Sequence, residues 1–259
     1  MRPDVDFGTD IDVDVLVMAA FTPELAHVRA ALGMAVGPVA ATGERARLGD
    51  IAVALGLAGV GLAAAAVGAT TLVRALAPRA VVLVGTCGAY TGSGLAIGDV
   101  VVSRRLSLVD PSALENKTQF PPPMATTLEA SDALAGALGG AGARPADVAT
   151  TLAITVDDPL ALRIRQGASV DVEHLETHGV AMACAGQGVP FAAVLGVANR
   201  VGASGREEWL AHHRRVEALA GECVMRWLRQ GARGTPGRPP GQPPGNHQGV
   251  GKGGPSSPP

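Results

Sequence analysis

The chain has 259 residues, of which 47% are apolar and only 3% aromatic, and its formal charge is −2. That length accommodates one large domain or two small ones, and nothing in the pattern resembles a second core. The near-neutral charge leaves no basic footprint for nucleic acid, and the scarcity of aromatics excludes base-stacking platforms for single strands.

Val15 to Ala20 reads as a short apolar strand. Thr22-Pro23-Glu24 follows, a fair N-cap with proline in the first turn, so a helix is expected from Pro23 to about Leu32. Ile51 to Leu57 is a second strand. Gly59-Val60-Gly61 then turns into an Ala-rich helix ended by Pro78. The apolar stretch from Gly56 to Leu76 is long enough to suggest a membrane span. Gly59, Gly61 and Gly68 interrupt it and Arg74 and Arg79 close it, so no membrane segment is expected.

Ala80 to Val84 has the composition of a strand buried on both faces, broken by Gly85-Thr86-Cys87-Gly88-Ala89-Tyr90. Asp99 to Ser103 is a further strand, and Ser107 to Pro123 reads as an irregular insertion. A helix from Ser131 to Leu138, a strand from Val148 to Val156 and a helix from Pro159 to Gln166 come next. Val170 to Val172 is a short strand, Glu176 to Gly186 a helix, Phe191 to Leu195 a strand and Arg206 to Arg229 a long final helix. Alternation of apolar strands with helices implies an α/β fold, a three-layer α/β/α arrangement around a central sheet.

From Gly231 onward the composition turns to Gly, Pro, Gln and Ser. The expected organisation is a flexible segment over residues 1–12, a domain over 13–230 and a disordered tail over 231–259, too poor in apolar surface to offset its ordering entropy. The three cysteines, Cys87, Cys184 and Cys223, lack metal-ligand spacing. Their odd number and the lack of a signal-like segment suggest a reducing cytoplasm.

Ligands of open α/β sheets bind beyond the carboxyl ends of the strands. Glu24, Thr86-Cys87-Gly88 and Asn199 fall there, and Glu176 starts a helix. Singly, each has a plain structural reading: Glu24 or Glu176 complements a helix dipole, and Gly85 to Gly88 is a tight turn. Their joint placement favours a site. Asn199 in GVANRV is poor strand material and points to a polar neighbour.

The stretches GVGLAAAAVGATTL and GTCGAYTGSGLAIGDVVVS, with Val15 to Leu32 and Val172 to Trp209, resemble the purine nucleoside phosphorylase and nucleosidase superfamily. The Gly-Ala-Tyr and Gly-Ser-Gly-Leu elements, and Asn-Arg-Val-Gly followed by Arg-Glu-Glu-Trp, are most similar to futalosine hydrolases. Those enzymes cleave a 6-oxopurine nucleoside in menaquinone synthesis. The resemblance implies a mixed central sheet, a purine nucleoside as substrate, no cofactor and a homo-oligomer, a dimer or larger. It implies that Glu24 activates the attacking water, Glu176 holds the ribose hydroxyls beside Leu175, and Asn199 hydrogen-bonds the purine. Thr86, Cys87 and Gly88 would line the water and sugar.

These residue types suit the chemistry. Breaking a ribosyl C–N bond builds positive charge on the sugar and negative charge on the base, so a carboxylate belongs at the ribose and a donor at the purine. Uridine phosphorylases carry an arginine three residues before the threonine of this turn, where this chain has Leu83, so hydrolysis is favoured over phosphorolysis.

The chain also departs from the family pattern. It reads Glu173-His174-Leu175-Glu176-Thr177-His178, where Leu replaces the usual Met, and Thr177 and His178 are larger than the expected small residues. They could narrow the pocket or loosen the helix start. His174 and His178 stand at four-residue spacing without a third ligand, so no metal is expected. A 5′ aromatic carboxylate would need an apolar slot with a donor at its end. Arg206, Trp209 and the insertion containing Phe120 are candidates, with Trp209 read first as helix core.

Overall fold

The first strand, β1 (Val15–Ala19), displays the layering rule of the whole molecule. Its alternate residues bury on opposite faces: Leu16 and Met18 meet one apolar cluster, Val15, Val17 and Ala19 the other. A computed structural model describes residues 12–34 and 43–237 of the chain. A 3₁₀ turn, Thr22–Leu25, leads into the short helix α1 (Ala26–Ala31), so the helix expected from Pro23 is split in two. The strands β2 (Glu44–Leu48) and β3 (Ile51–Leu57) form an antiparallel pair, and β3 runs parallel to β1. β2 was not expected, because a five-residue edge strand with two arginines carries no apolar run.

Helix α2 (Leu62–Leu76) buries Ala65, Ala69, Leu72, Val73 and Leu76, a single helical stripe. It stops at Ala77, which takes the left-handed conformation at φ 44° just before Pro78. Strand β4 (Ala80–Ala89) continues through Gly85 to Ala89, where a break was expected. The reason is pairing: β9 (Phe191–Arg200) accompanies it in parallel along its length, which keeps the glycines extended. A register shift falls between Cys87 and Gly88. Cys87 faces Val197 but Gly88 faces Asn199, leaving Ala198 as an extra residue on β9.

Strand β5 (Val100–Leu108) is followed by a one-turn helix, α3 (Pro111–Leu114), within the expected insertion. β6 (Thr127–Glu129), α4 (Asp132–Gly140) and β7 (Arg144–Thr150) follow. β7 thus lies upstream of the strand expected over 148–156, and Thr151 to Val156 form a loop. Then come α5 (Asp158–Ala168), β8 (Val172–Glu173), α6 (Thr177–Ala185) and, after β9, α7 (Gly205–Arg229).

The strand order is β2-β3-β1-β4-β8-β7-β5-β6, with β9 pairing both β4 and β5. Strands β4, β8, β7, β5 and β9 therefore close on themselves at one side of a mixed sheet. α2 and α6 cover one face, while α1, α4 and α7 cover the other. This is the α/β/α arrangement with a mixed sheet.

Residues Gly231 to Gly237 lie within the described part as turns and irregular chain, with Ala232 buried against the core. The indole of Trp227 donates to the Arg233 carbonyl at 2.8 Å. The remainder of the tail expected over 231–259, and residues 1–11 of the N-terminal segment, lie outside the described residues. Among the described residues, no helix is long and apolar enough to cross a membrane.

Candidate active site

Where β1 ends, Phe21 is extended and Pro23 begins the 3₁₀ turn, which directs Glu24 back over the sheet edge. The Glu24 carboxylate is 3% exposed. It accepts the Ala20 backbone N–H at 3.2 Å, the Thr86 backbone N–H at 3.0 Å and the Thr86 hydroxyl at 3.4 Å. Gly85 makes this approach possible, since a Cβ there would lie 2.8 Å from Glu24 Oε1. Burial pushes the Glu24 pKa up to about 8; the Thr86 N–H opposes this, while the charges of Glu176 and Glu217 add to it. Glu24 is thus neither a dipole partner of an exposed helix nor an ordinary surface acid.

Glu176 occupies the N-cap position of α6 but does not cap that helix. Its Oε1 instead accepts the Gly61 N–H at 2.7 Å, at the N-terminus of α2. Its Oε2 lies 3.3 Å from His174 Nδ1. Burial pushes the His174 pKa down, although Glu176 works against it. Glu173 is bonded on several sides: Tyr90 donates its hydroxyl at 2.8 Å, and Thr155 its backbone N–H at 2.9 Å and hydroxyl at 2.6 Å. Burial and the neighbouring Glu173 push the Tyr90 phenol above its ordinary range.

Asn199 stands at the end of β9, beside the register shift. Its Nδ2 donates to the Arg200 carbonyl at 2.7 Å and would lie 2.9 Å from a Cβ on Gly88 and 3.1 Å from one on Gly205. Glycine at both positions makes room for the amide, whose second N–H and carbonyl oxygen are left for other partners. Immediately afterwards Arg200 pairs with Glu208, tying the strand end to α7. Trp209, one residue further, donates its indole N–H to Thr86 Oγ1 at 3.1 Å and stacks on His213.

These groups surround one cavity of about 420 Å³. All seven residues expected at the site line it: Glu24, Thr86, Cys87, Gly88, Leu175, Glu176 and Asn199. Phe21, Thr155, Glu173, His174, Arg206 and Trp209 line it too. Trp209 is therefore a wall of the cavity and not helix core. Phe120 lies elsewhere, in a separate cavity of about 250 Å³ with Arg105 and Asp110. Thr177 and His178 are buried and do not border the main cavity, so they do not narrow it. The His178 N–H instead bonds Thr150 Oγ1 at 3.1 Å. Burial raises the Cys87 thiol, as does the charge of Glu24, so it stays protonated and lines the cavity as an apolar group.

The lining holds three carboxyl groups, Glu24, Glu173 and Glu176, against one arginine, Arg206. A lining with so few cationic groups offers a dianion little to pair with. Among the described residues, no group of three or more His, Cys, Asp or Glu side chains is arranged to hold a metal ion.

Solved structures with this fold include a Helicobacter pylori 5′-methylthioadenosine/S-adenosylhomocysteine nucleosidase, at 14% identity over 85% of this chain and 100% of that one, TM-score 0.75. The native futalosine hydrolase of Helicobacter pylori matches at 15% identity over 85% and 98%, TM-score 0.75. An S-adenosylhomocysteine nucleosidase from Streptococcus pyogenes, in complex with 5-methylthiotubericidin, matches at 21% identity over 86% and 99%, TM-score 0.73. At such identities the likeness establishes the fold. No curated protein matches the sequence. The family model of the phosphorylase superfamily matches residues 14–229, from the start of β1 to the end of α7, and the chain belongs to that superfamily.

Proposed function

We propose that the chain hydrolyses the N-ribosidic bond of a 6-oxopurine nucleoside, futalosine above others, releasing hypoxanthine. The observation that carries this reading is the convergence of Glu24, Glu176 and Asn199 on one cavity whose lining holds a single arginine. In this reading Glu24 takes a proton from water as the water oxygen bonds C1′. Its pKa of about 8 suits a general base near neutrality. The C1′–N9 bond breaks with its electron pair leaving on the purine. Glu176 faces the ribose hydroxyls, for which an ionised carboxylate is an acceptor only, and its charge stabilises the oxocarbenium-like sugar.

Asn199 supplies an N–H to O6 or N7, where negative charge gathers. An amide cannot hand over a proton as a carboxylic acid can, which favours the 6-oxopurine over adenine. Water is favoured over phosphate because a dianion beside the Glu176 carboxylate would find Arg206 as the only arginine of the lining, and Leu83 is buried where the resemblance would put a phosphorylase arginine. The choice of futalosine rests on Phe21, Ile154, Val156 and Trp209, an apolar and aromatic wall, together with Arg206, which suits an aromatic carboxylate. The domain over residues 13–230 would act in the cytoplasm as a homo-oligomer, without a cofactor.

The test is incubation with futalosine, inosine and methylthioadenosine, with and without phosphate, followed by chromatography of the released base. Hypoxanthine released without phosphate is the expected result. Phosphate dependence, or preferential release of adenine, would overturn the reading.

A further inference from the structure

His174 is 5% exposed and borders the cavity, although no step described above uses it. Three groups meet its Nδ1: the Thr177 hydroxyl at 2.7 Å, Glu176 Oε2 at 3.3 Å and the Glu176 backbone N–H at 3.4 Å. Thr177 is fully buried, and the His174 backbone N–H is fixed to the Ala149 carbonyl at 2.9 Å. The ring therefore has little freedom to turn away.

The tautomer follows from what surrounds that nitrogen. A neutral imidazole has one N–H and one bare nitrogen. With Nδ1 bare, the Thr177 hydroxyl and the distant backbone N–H would be served, but an ionised Glu176 oxygen would face a second lone pair in a buried setting. With the proton on Nδ1, the threonine oxygen at 2.7 Å and the carboxylate oxygen at 3.3 Å share it, the latter through a charge-assisted bond. The Glu176 backbone N–H at 3.4 Å then loses the ring as its acceptor, a long bond given up for a charged one. Burial keeps the ring neutral by pushing its pKa down.

We propose that His174 is a positioning residue that holds Glu176 for the ribose hydroxyls through an Nδ1–H···Oε2 bond, and so sets the preference for ribosides over 2′-deoxyribosides. The second Glu176 oxygen is already fixed by the Gly61 N–H at 2.7 Å. The two contacts fall on different oxygens of the carboxylate, one from the start of α2 and one from the loop before α6. Together they fix its rotamer while leaving each oxygen a lone pair for the sugar. The proposal rests on the nucleoside-hydrolase reading given above.

The experiment compares the kcat/KM ratio of inosine to 2′-deoxyinosine in the wild type, His174→Leu and His174→Asn. His174→Leu should reduce this ratio about tenfold by lowering the riboside rate, because a carboxylate without its orienting donor is misplaced by a fraction of an ångström. His174→Asn, whose amide N–H can stand near the Nδ1 position, should recover most of it. A purely structural role would lower both substrates together and leave the ratio unchanged, which would overturn the proposal. Independently of turnover, ¹⁵N NMR of the imidazole should show the neutral Nδ1–H tautomer, with a shift at Nδ1 in Glu176→Gln. An Nε2–H ring insensitive to that change would also overturn it. If the wild type releases no base from any nucleoside, the proposed reaction fails, while the NMR result still decides the role of His174.

Discussion

Trp209 on α7 donates its indole N–H to the Thr86 hydroxyl at 3.1 Å, and the same hydroxyl donates to Glu24 Oε1 at 3.4 Å. A residue near the end of the fold thus reaches the carboxylate of the first loop through one threonine. Donation to an oxygen strengthens the bond that the same oxygen's hydrogen makes in turn. Trp209→Phe keeps an aromatic, though smaller, ring and removes the donor, so kcat/KM should fall about fivefold, the size of one weak hydrogen bond. The thermal midpoint should change little. Steady-state kinetics with calorimetry on the same preparation checks both.

The raised Glu24 pKa makes two pH predictions. As a base, Glu24 must be ionised, so kcat/KM should rise about tenfold per pH unit below 8 and level off above it. A flat profile between pH 6 and 9 would remove Glu24 from that role. Folding raises this pKa from 4.5 to about 8, so the folded state holds the proton more tightly than the unfolded chain. The associated stability is complete below pH 4.5 and is lost as pH rises through about 8. The thermal midpoint of Glu24→Gln should therefore gain on that of the wild type between pH 5 and pH 8.5, as differential scanning calorimetry would record.

Asn199 is expected to set the base. Asn199→Ala should lose about 3 kcal/mol of transition-state stabilisation, roughly a hundredfold in kcat/KM. Asn199→Asp should gain activity on adenine nucleosides relative to hypoxanthine ones. Competition between inosine and methylthioadenosine, read by chromatography, measures the switch; an unchanged ratio would count against direct contact with the base.

Arg206 should matter only for a substrate with an acidic 5′ group. Arg206→Ala is expected to raise KM for futalosine about tenfold, the value of one charge-assisted bond at an exposed rim, and to leave inosine unaffected. Equal effects on both substrates would place the arginine elsewhere in the mechanism.

Much of this fold was legible because the strands are apolar and their helices carry clear stops. Pro78 after α2 is one such stop, and the buried stripe of that helix is another regular signal. What escaped depended on partners distant in sequence. Gly85 to Ala89 has the composition of a turn and is a strand because β9 pairs with it. β2 is an arginine-containing edge whose extension is fixed by β3. In the site, Glu24, Glu176 and Asn199 could be picked out because each is a polar residue at the boundary of an apolar element. His174 and Glu173 lay beside them, but their roles depend on bonds to Thr177, Tyr90 and Thr155 that no local pattern encodes. Trp209 fitted a helix interior as well as a cavity wall, and only the position of Thr86 distinguishes the two.

The unmatched Ala198 has a consequence for how such a chain can vary. Upstream on β9, Ala193, Leu195 and Val197 look toward α2 and α6, while Ala192 and Val194 look toward α7. Strict alternation would send Asn199 to the first side with the other odd-numbered positions. One spare residue reverses the phase and turns the amide toward Gly88 and Gly205. On the role proposed for Asn199, a deletion at Ala198 would keep that amide in the sequence and still turn it away from the cavity, so chain length at that single point would matter to the site as strictly as residue identity does.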